Sequence, residues 1–289
     1  LRGEPYDLVY ERYAFFLIAG ALAATRRGVP FLLEVNEVSG VPERARKQSF
    51  PALCNAFERI LFCRCSRIHA VSSYLANRAK ATGARPDQPV VVPNGFDMRR
   101  IPSAPRRDEL RQRFGFGDAT FVLGFAGWFD DWDRLENLVE VLVRVLGHSP
   151  HFRLCLIGDG RGRTVAEARA AELGIADKIV FTGAVSRSEV YNYLSILEVG
   201  VLPNSNVFGS PMIMFEMMGL RIPLVLPRLP PIEDVHRHDE TALLFEPLNV
   251  AECSERVLSL FSDESLRTRI AIAAYDKLFR EHSWVRTVE

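Results

Sequence analysis

The sequence lacks several features that mark particular classes of protein. Its five cysteines form no CxxC pair and show no regular spacing, which argues against a disulfide framework and a structural zinc site. The 36 Lys and Arg residues balance 36 Asp and Glu residues, so the basic surplus of a general nucleic-acid binder is missing. No Asn-x-Ser/Thr sequon occurs either. These absences favour a protein of a reducing, cytoplasmic compartment.

Long apolar runs are also missing. The longest, Ala14–Ala24, has about eleven residues, whereas a membrane span needs about 20, and we interpret it as a buried helix. The chain has 289 residues. At roughly 100–200 residues per domain, this length suggests one large or two modest globular domains.

What is present is an alternation of short apolar runs and longer helical patterns. In the first part of the chain the runs are apolar on both faces, as in a parallel sheet covered by helices. Strands are predicted at 7–9, 31–35, 67–71 and 90–92, and helices at 12–27, 51–65 and 74–81, the last capped by Ser72 or Ser73. The segment 99–118, rich in Arg and Pro, is predicted as a linker that runs into a surface helix. Its six arginines suit a solvated inter-domain face better than an anionic lipid or phosphate, although both interpretations stay open.

The alternation restarts after residue 118. Strands are predicted at 121–126, 152–157, 179–181, 199–202, 223–226 and 242–245, and helices at 135–146, 163–173, 187–197, 212–219, 250–261 and 264–280. Six strands with intervening helices make a complete doubly wound domain. The sequence therefore predicts an α/β protein with two Rossmann-like domains, 1–98 and 119–289, joined by the linker 99–118.

Two segments follow predicted strands in the way that ligand-binding loops do. Gly158 opens a G-x-G-x-G turn before a helix, and this turn suits a tight strand-to-helix connection and a phosphate or sugar contact equally well. The second segment is the small, polar stretch 204–211, where the N–H groups of Gly209 and Ser210 could face a diphosphate. It leads into a helix in which Glu216 lies among Met and Phe residues. A carboxylate there needs partners, and we favour ligand hydroxyls over a protein group.

The remaining polar clusters have simpler interpretations. Three aspartates within 130–133 follow a strand and could hold a hard cation, but an exposed acidic loop is favoured. His236 and His238 have no third ligand in view and are interpreted as surface histidines. His69 is interpreted as a core histidine with satisfied hydrogen bonds. Polar residues around Glu34 end a strand of the first block, where an acceptor substrate or simple turn bonds explain them equally well.

Seven segments, in order along the chain, carry a resemblance to a known family. They are Val9–Tyr13, Leu33–Asn36, Val71–Ser72, Val92–Asp97, Ile157–Gly160, Phe181–Val185 and Gly209–Pro211 with Glu216. Taken together they cover nearly the whole chain, and the chain resembles the retaining glycosyltransferases of the GT-B fold, of the bacterial "group 1" type.

The resemblance implies the GT-B fold, in which two Rossmann-like domains have parallel sheets that face across a cleft. It implies transfer of a sugar from a nucleotide-diphosphate-sugar to a hydroxyl acceptor, with no cofactor and no metal. The anomeric configuration would be retained by attack on the same face, while the leaving phosphate helps to take the acceptor proton. The implied partners are a nucleotide sugar and a sugar-containing or other hydroxyl acceptor, without nucleic acid; a peripheral membrane contact of a cytoplasmic enzyme stays open.

The resemblance also implies roles for particular residues. Glu216 matches the carboxylate that binds the donor ribose hydroxyls. The implied donor contacts are Gly127, Trp128, Gly158, Val185, Phe208, Gly209, Ser210, Pro211 and Met212, of which Val185 would meet the base through its backbone. The implied acceptor-side residues are Glu34, Asn36 and Glu37.

The sequence departs from the family pattern where the diphosphate would bind. Many members carry an arginine and, five residues later, a lysine at the positions of Trp128 and Asp133, and we expect Arg134 to replace them as a catalytic cation. Phe208 takes the place of the first glutamate of an E-x7-E pattern, and Arg221 that of a small glycine. These departures motivate an alternative, a catalytically weak protein that binds a nucleotide sugar or a partner enzyme. A GT-B epimerase would need acid and base groups that the sequence does not show.

The resemblance also changes what the length suggests. Family members open with a strand and a glycine-rich loop before anything like Asp7–Val9. We therefore expect one whole donor domain and the latter part of an acceptor domain, the N-terminal domain being incomplete.

Overall fold

The computed structural model describes residues 5–41 and 50–285, and the chain divides into two compact units. The first unit holds the residues up to Asn94 together with Asn206–Ser210. The second holds Gly95–Ser205 and the residues from Pro211 onward. The short stretch 206–210 thus packs with the first unit, although the boundaries expected from the sequence place it in the second domain.

The first unit is a parallel sheet with helices. Its strands are β1 (Val9–Arg12), β2 (Phe31–Val35), β3 (Arg67–Ala70) and β4 (Pro89–Val91), and its helices are α1 (Ala19–Arg27), α2 (Pro51–Arg64) and α3 (Ser73–Thr82). The strands are paired in their chain order, β1-β2-β3-β4, and every pair is parallel. Ser72 caps α3, because its Oγ accepts a hydrogen bond from the Leu75 N–H at 3.3 Å.

The second unit is a larger parallel sheet with helices. It begins with a 3₁₀ turn at Met98–Arg100 and α4 (Arg107–Arg113). Its strands are β5 (Phe121–Trp128), β6 (Phe152–Asp159), β7 (Ile179–Phe181), β8 (Val199–Val201), β9 (Leu224–Pro227) and β10 (Leu243–Phe245). Its further helices are α5 (Leu135–Leu146), α6 (Gly162–Glu172), α7 (Val190–Leu194), α8 (Met212–Gly219), α9 (Pro230–Glu233), α10 (Val250–Ser262) and α11 (Glu264–Glu281). The order β10-β9-β8-β5-β6-β7, parallel throughout, is doubly wound, as predicted.

The two sheets differ in how their faces are covered. In the second unit, all residues of β5 from Phe121 to Ala126 are buried, as expected for a strand covered on both faces. In the first unit, β2 alternates buried and half-buried residues. Leu33 points to the core at 0% exposure, whereas Tyr10 is 52% exposed. The prediction of runs apolar on both faces is therefore wrong for the described part of the first sheet.

Two predicted helices are shorter in the structure. The apolar run Ala14–Ala24 was expected within one buried helix over 12–27, but α1 begins only at Ala19, and Leu17 is 39% exposed. Arg12 belongs to β1 because it pairs with Glu34 of β2, so long-range strand pairing overrides the local helical pattern. Similarly, the helix predicted over 187–197 is reduced to α7.

The arginines of the segment 99–118 are not simply a solvated face. Arg107 and Arg111 form ion pairs with Glu198, and Arg106 pairs with Glu189. A Glu198 oxygen also accepts from the Val122 N–H at 2.7 Å. These contacts lie within the second unit, so this part of the arginine cluster stabilises that unit and the predicted solvated face is wrong for it.

Candidate active site

Glu216 lies on α8, the helix that follows β8 and the stretch 203–211. The neighbouring side chains of Phe215 and Met217 are fully buried, while Glu216 is half-buried. Burial raises the pKa of the Glu216 carboxyl, because a low-dielectric environment disfavours the charged form. Glu216 is thus flanked on its helix by buried apolar side chains, as expected, while the ligand hydroxyls favoured as its partners stay a prediction.

Sequence reasoning missed the groups that surround Glu216. The Tyr191 hydroxyl of α7 donates to Glu216 Oε1 at 3.5 Å. Arg187 and Arg100 are further groups whose positive charge acts on the carboxylate and counters the effect of burial on its pKa. Position along the chain gave no signal for these partners, because Arg100, Arg187 and Tyr191 are all distant from Glu216 in sequence.

The G-x-G-x-G turn is explained largely by packing against the backbone of Phe129. Gly158 pairs with Gly127 between β6 and β5, and a Cβ on Gly158, at φ 132°, would overlap the Gly127 carbonyl. A Cβ on Gly160 would lie 2.6 Å from the Phe129 carbonyl oxygen. The N–H of Gly162, at the start of α6, donates to that same oxygen at 2.9 Å. Between the two interpretations of this turn, the structure supports the tight strand-to-helix connection.

The positions of the usual basic pair carry different side chains. Trp128 ends β5 next to Gly127 and is 66% exposed, so its ring is available to a ligand. Asp133 is 7% exposed, and its Oδ2 accepts from the Asp130 N–H at 2.9 Å. Burial raises the pKa of Asp133 to about 7. Its carboxylate therefore closes a turn and does not point free into a ligand site.

Arg134 lies at the junction between that turn and α5. Its backbone is in the left-handed region at φ 51°, which a non-glycine residue adopts at some cost. The side chain is 49% exposed and lies 3.8 Å from Glu136, so the guanidinium is only loosely held. Its place beyond the carboxyl end of β5 is compatible with the expected role of a cation, which stays a prediction.

The stretch 206–210 is organised by Asn206, a residue that sequence reasoning did not single out. Its Oδ1 accepts from the Phe208 N–H at 3.2 Å and from the Gly209 N–H at 2.5 Å. The Phe208 carbonyl accepts from Ser72 Oγ at 2.6 Å, and the Phe208 ring belongs to the core of the first unit. Of the two amides expected to face a diphosphate, that of Gly209 thus has a protein partner in this structure.

The other expected donor residues lie at the ends of elements in the two units. Ser210 accepts from the Asn94 N–H at its Oγ, at 3.2 Å, and from Asn94 Nδ2 at its carbonyl, at 2.7 Å. Pro211 is the N-cap of α8 and Met212 its first residue. Val185 is half-buried in the segment between β7 and α7. Their contacts with a donor stay predictions.

The acceptor-side residues form a polar cluster on the half-exposed face of the first sheet. Glu34 accepts from the Tyr10 hydroxyl at 3.0 Å and from Asn36 Nδ2 at 2.7 Å. Burial and this bond to Glu34 raise the pKa of Tyr10 to about 12. His69 joins the cluster, with Nδ1 3.3 Å from the Tyr10 hydroxyl and Nε2 3.2 Å from the Val92 carbonyl. Glu37 lies just past β2 and is half-buried.

His69 therefore has hydrogen-bond partners, as predicted, but it lies in this polar cluster and not in an apolar core. The interpretation of the other two histidines needs correction. His236 is only 1% exposed, and its Nδ1 lies 3.2 Å from Thr241 Oγ1. His238 Nδ1 accepts from the Leu244 N–H at 2.9 Å. His236 is thus a buried residue and not a surface histidine, and His238 is half-buried.

Across residues 5–41 and 50–285, no group of three or more His, Cys, Asp or Glu side chains is placed to hold a metal ion. The aspartates of 130–133 are engaged instead, since Asp130 and Asp131 both lie near Arg161, at 3.8 and 3.6 Å. Within the same described ranges, none of the helices combines the length and the apolarity that a membrane crossing requires.

Comparison with known proteins now defines the class. The model of the glycosyl transferases group 1 family matches residues 106–277, and that of glycosyltransferase family 4 matches residues 1–100. A solved structure, Anabaena Alr3699/HepE in complex with UDP, superposes with a TM-score of 0.83 at 19% identity, over 98% of this chain and 76% of that one. Two parallel-sheet, Rossmann-like α/β domains of this kind define the GT-B fold. The chain belongs to the glycosyl transferases group 1 family.

Among curated proteins, the 2-deoxystreptamine glucosyltransferase of Streptomyces kanamyceticus is 28% identical over 91% of this chain and 70% of its own length. The alpha-D-kanosaminyltransferase of the same organism is 27% identical over 57% of this chain and 42% of its own length. The chain thus spans from under half to about two thirds of the length of the curated relatives it matches.

Proposed function

We propose that this chain is part of an enzyme that transfers a sugar from a nucleotide-diphosphate-sugar to a hydroxyl acceptor. The observation that carries the proposal is the half-buried Glu216 carboxylate on α8, which meets a phenol hydroxyl and the charge of two arginines. A carboxylate held in this way can accept hydrogen bonds from the paired hydroxyls of a ribose. Family membership and the names of the curated relatives support the same reaction class, and a structural neighbour binds UDP.

For the donor, we assign the second unit. Glu216 would bind the ribose, Val185 the base through its backbone, and the exposed Trp128 with Gly127 the sugar or diphosphate. Gly158, Pro211 and Met212 would shape the surface around them. Phe208, Gly209 and Ser210 lie in the stretch that belongs to the first unit, and the donor contacts expected of them stay predictions.

The reaction would retain the anomeric configuration and need no metal or cofactor. Negative charge develops on the departing diphosphate, and a positioned cation there stabilises the transition state. Arg134 is the loosely held guanidinium that we assign to this role. The leaving phosphate would help to take the acceptor proton on the same face.

For the acceptor, we assign the polar cluster of the first unit, in which Glu34, Asn36 and Glu37 lie at and just beyond the end of β2. We place the reaction in the cytoplasm, because Cys54, Cys63, Cys65, Cys155 and Cys253 are all free, as in reducing compartments. A peripheral contact with a membrane is compatible with this location. The identity of the acceptor is left to experiment.

A second candidate has its own supporting observation. Trp128 and the turn-bound Asp133 replace the usual basic pair, so the positive charge for the diphosphate is reduced. Such a protein would bind a nucleotide sugar or a partner enzyme and turn over slowly.

The two candidates are separated by an assay of donor consumption on the longest available form of the protein, with a panel of nucleotide sugars and sugar acceptors. The first candidate predicts a glycoside product. The NMR signal of its anomeric proton should show the same anomeric configuration as the donor. Arg134→Gln should lower kcat by 10- to 100-fold, about 1.4–2.7 kcal/mol of transition-state stabilisation, while Arg237→Gln, an exposed arginine of the same unit, leaves it unchanged. Donor binding without turnover would instead establish the second candidate.

A further inference from the structure

The groups around Glu216 form a built support for its carboxylate. We propose that Tyr191 is a positioning residue that holds Glu216 Oε1, so that the remaining acceptor positions of this carboxylate serve the ribose hydroxyls of a nucleoside diphosphate. The inference rests on the proposed function and deepens it. None of the segments that carry the family resemblance contains Tyr191 or Arg187.

Tyr191 is held rigidly. It is 2% exposed, and its ring packs edge-on against Phe96, with 6.1 Å between the ring centroids. Phe96 is itself 1% exposed. Its N–H donates to the His282 carbonyl at 2.8 Å, and its carbonyl accepts from the Trp284 N–H at 3.1 Å. These two hydrogen bonds fix the backbone of Phe96. Because its ring packs against Tyr191, the Tyr191 side chain has little freedom to leave its rotamer.

The same phenylalanine also packs against the helix of Glu216. A Cβ on Gly219, one turn after Glu216 on α8, would lie 3.0 Å from the Phe96 ring. Glycine at this position lets the Phe96 ring approach α8, so this ring packs both against Tyr191 and against the helix that carries Glu216. The helix of Tyr191 is fixed by the next residue, Asn192, whose Oδ1 accepts from the Arg106 N–H at 3.1 Å.

Two exposed arginines act in the same direction as Tyr191. The positive charges of Arg187, before α7, and of Arg100, in the 3₁₀ turn, favour the ionised form of Glu216 against the desolvation that raises its pKa. Next to Glu216 in sequence, α8 offers only Met and Phe side chains, so the hydroxyl that reaches the carboxylate comes from Tyr191 of α7.

The test is a calorimetric titration with UDP, ADP and GDP between pH 5 and pH 8. Tyr191→Phe removes the hydroxyl and should weaken binding about threefold to tenfold at pH 7, the usual effect of one hydrogen bond. Tyr193→Phe is the matched control, because Tyr193 lies in the same helix as Tyr191 but packs against Phe114, and this variant should bind as the wild type does. Tyr191→Phe should also move the pH midpoint of binding upward, because the hydrogen bond from the hydroxyl favours the charged carboxylate, and Tyr193→Phe should leave the midpoint unchanged.

A side-chain ¹³C NMR titration of the Glu216 carboxyl distinguishes failure of the support from failure of the proposed function. If the wild type binds none of the three nucleotides, the proposed function fails for these bases, and the NMR titration still decides the inference. An unchanged Glu216 titration midpoint in Tyr191→Phe, or unchanged nucleotide affinity in Tyr191→Phe at every pH, would overturn it.

Discussion

At the scale of single residues, glycine is used where two backbone segments of the second unit touch. Gly127 and Gly158 face each other across β5 and β6, and Gly158 has φ 132°. A side chain there meets both a steric overlap and an unfavourable backbone conformation, two costs that add.

Gly158→Ala should therefore destabilise the protein by about 2–4 kcal/mol. Gly117→Ala is the matched control, because a Cβ there meets no atom within 4 Å, and it should change the unfolding free energy by less than about 0.5 kcal/mol. Urea denaturation followed by circular dichroism measures both. Equal stability of the two variants would contradict the close approach of β5 and β6.

A buried histidine makes stability depend on pH. Burial lowers the pKa of His236 to about 3, with Lys277 and His282 acting in the same direction and Thr241 against it, and the His236 Nε2 has no hydrogen-bond partner among the described residues. The folded pKa is lower than the unfolded value of about 6.5. The unfolded state therefore takes up the proton first, and stability present above pH 6.5 is lost as the pH falls toward 3.

Between pH 7.5 and pH 5, His236 should remove about 2 kcal/mol of stability. His236→Asn keeps a polar atom near Thr241 and does not titrate, so its loss over the same interval should be smaller by that amount. Chemical denaturation at the two pH values gives the comparison. A variant with the same pH dependence as the wild type would show that folding does not lower the pKa of His236.

At the scale of elements, α3 depends on its first residue. Ser72 Oγ accepts from the Leu75 N–H and also donates to the Phe208 carbonyl at 2.6 Å, so one hydroxyl caps a helix and holds the stretch 206–210 within the first unit. Ser72→Ala should cost about 1–2 kcal/mol, at the upper end for an N-cap, while the exposed Ser103→Ala should be neutral. Thermal unfolding monitored by calorimetry checks the difference.

Elements whose pattern is local could be predicted well. The strands β2 and β7 and the helices α5 and α8 have the predicted bounds, because each pattern ends at its own turn residues. The boundary between β1 and α1 could not be predicted, because Arg12 extends β1 only through its pairing with Glu34 of β2. The same contrast between local and long-range contacts holds at the site. Glu216 stood out in the sequence as a carboxylate among apolar residues, whereas Tyr191, which reaches it from another element, did not.

At the scale of the whole molecule, two parallel α/β units each carry their own polar cluster: Glu34 with Tyr10 and His69 in the first, Glu216 with Tyr191 in the second. If the second unit binds the nucleotide, a nucleoside diphosphate should slow amide hydrogen exchange in residues 185–191 and 212–219 and leave β1–β3 unchanged. Hydrogen exchange followed by mass spectrometry makes this comparison. Protection confined to the first unit would contradict the assignment of the donor.

The most direct test of the central claim is the affinity of Glu216 variants for a nucleoside diphosphate and for the matching nucleoside diphosphate of 2′,3′-dideoxyribose, measured by calorimetry at pH 7.5. Glu216→Ala should lose 30-fold or more, about 2 kcal/mol, whereas Glu255→Ala, an exposed helical glutamate of the same unit, should bind as the wild type does. The dideoxy nucleotide should bind the wild type as weakly as the normal nucleotide binds Glu216→Ala, and should not distinguish the two proteins. Unchanged affinity of Glu216→Ala for the normal nucleotide would contradict the account.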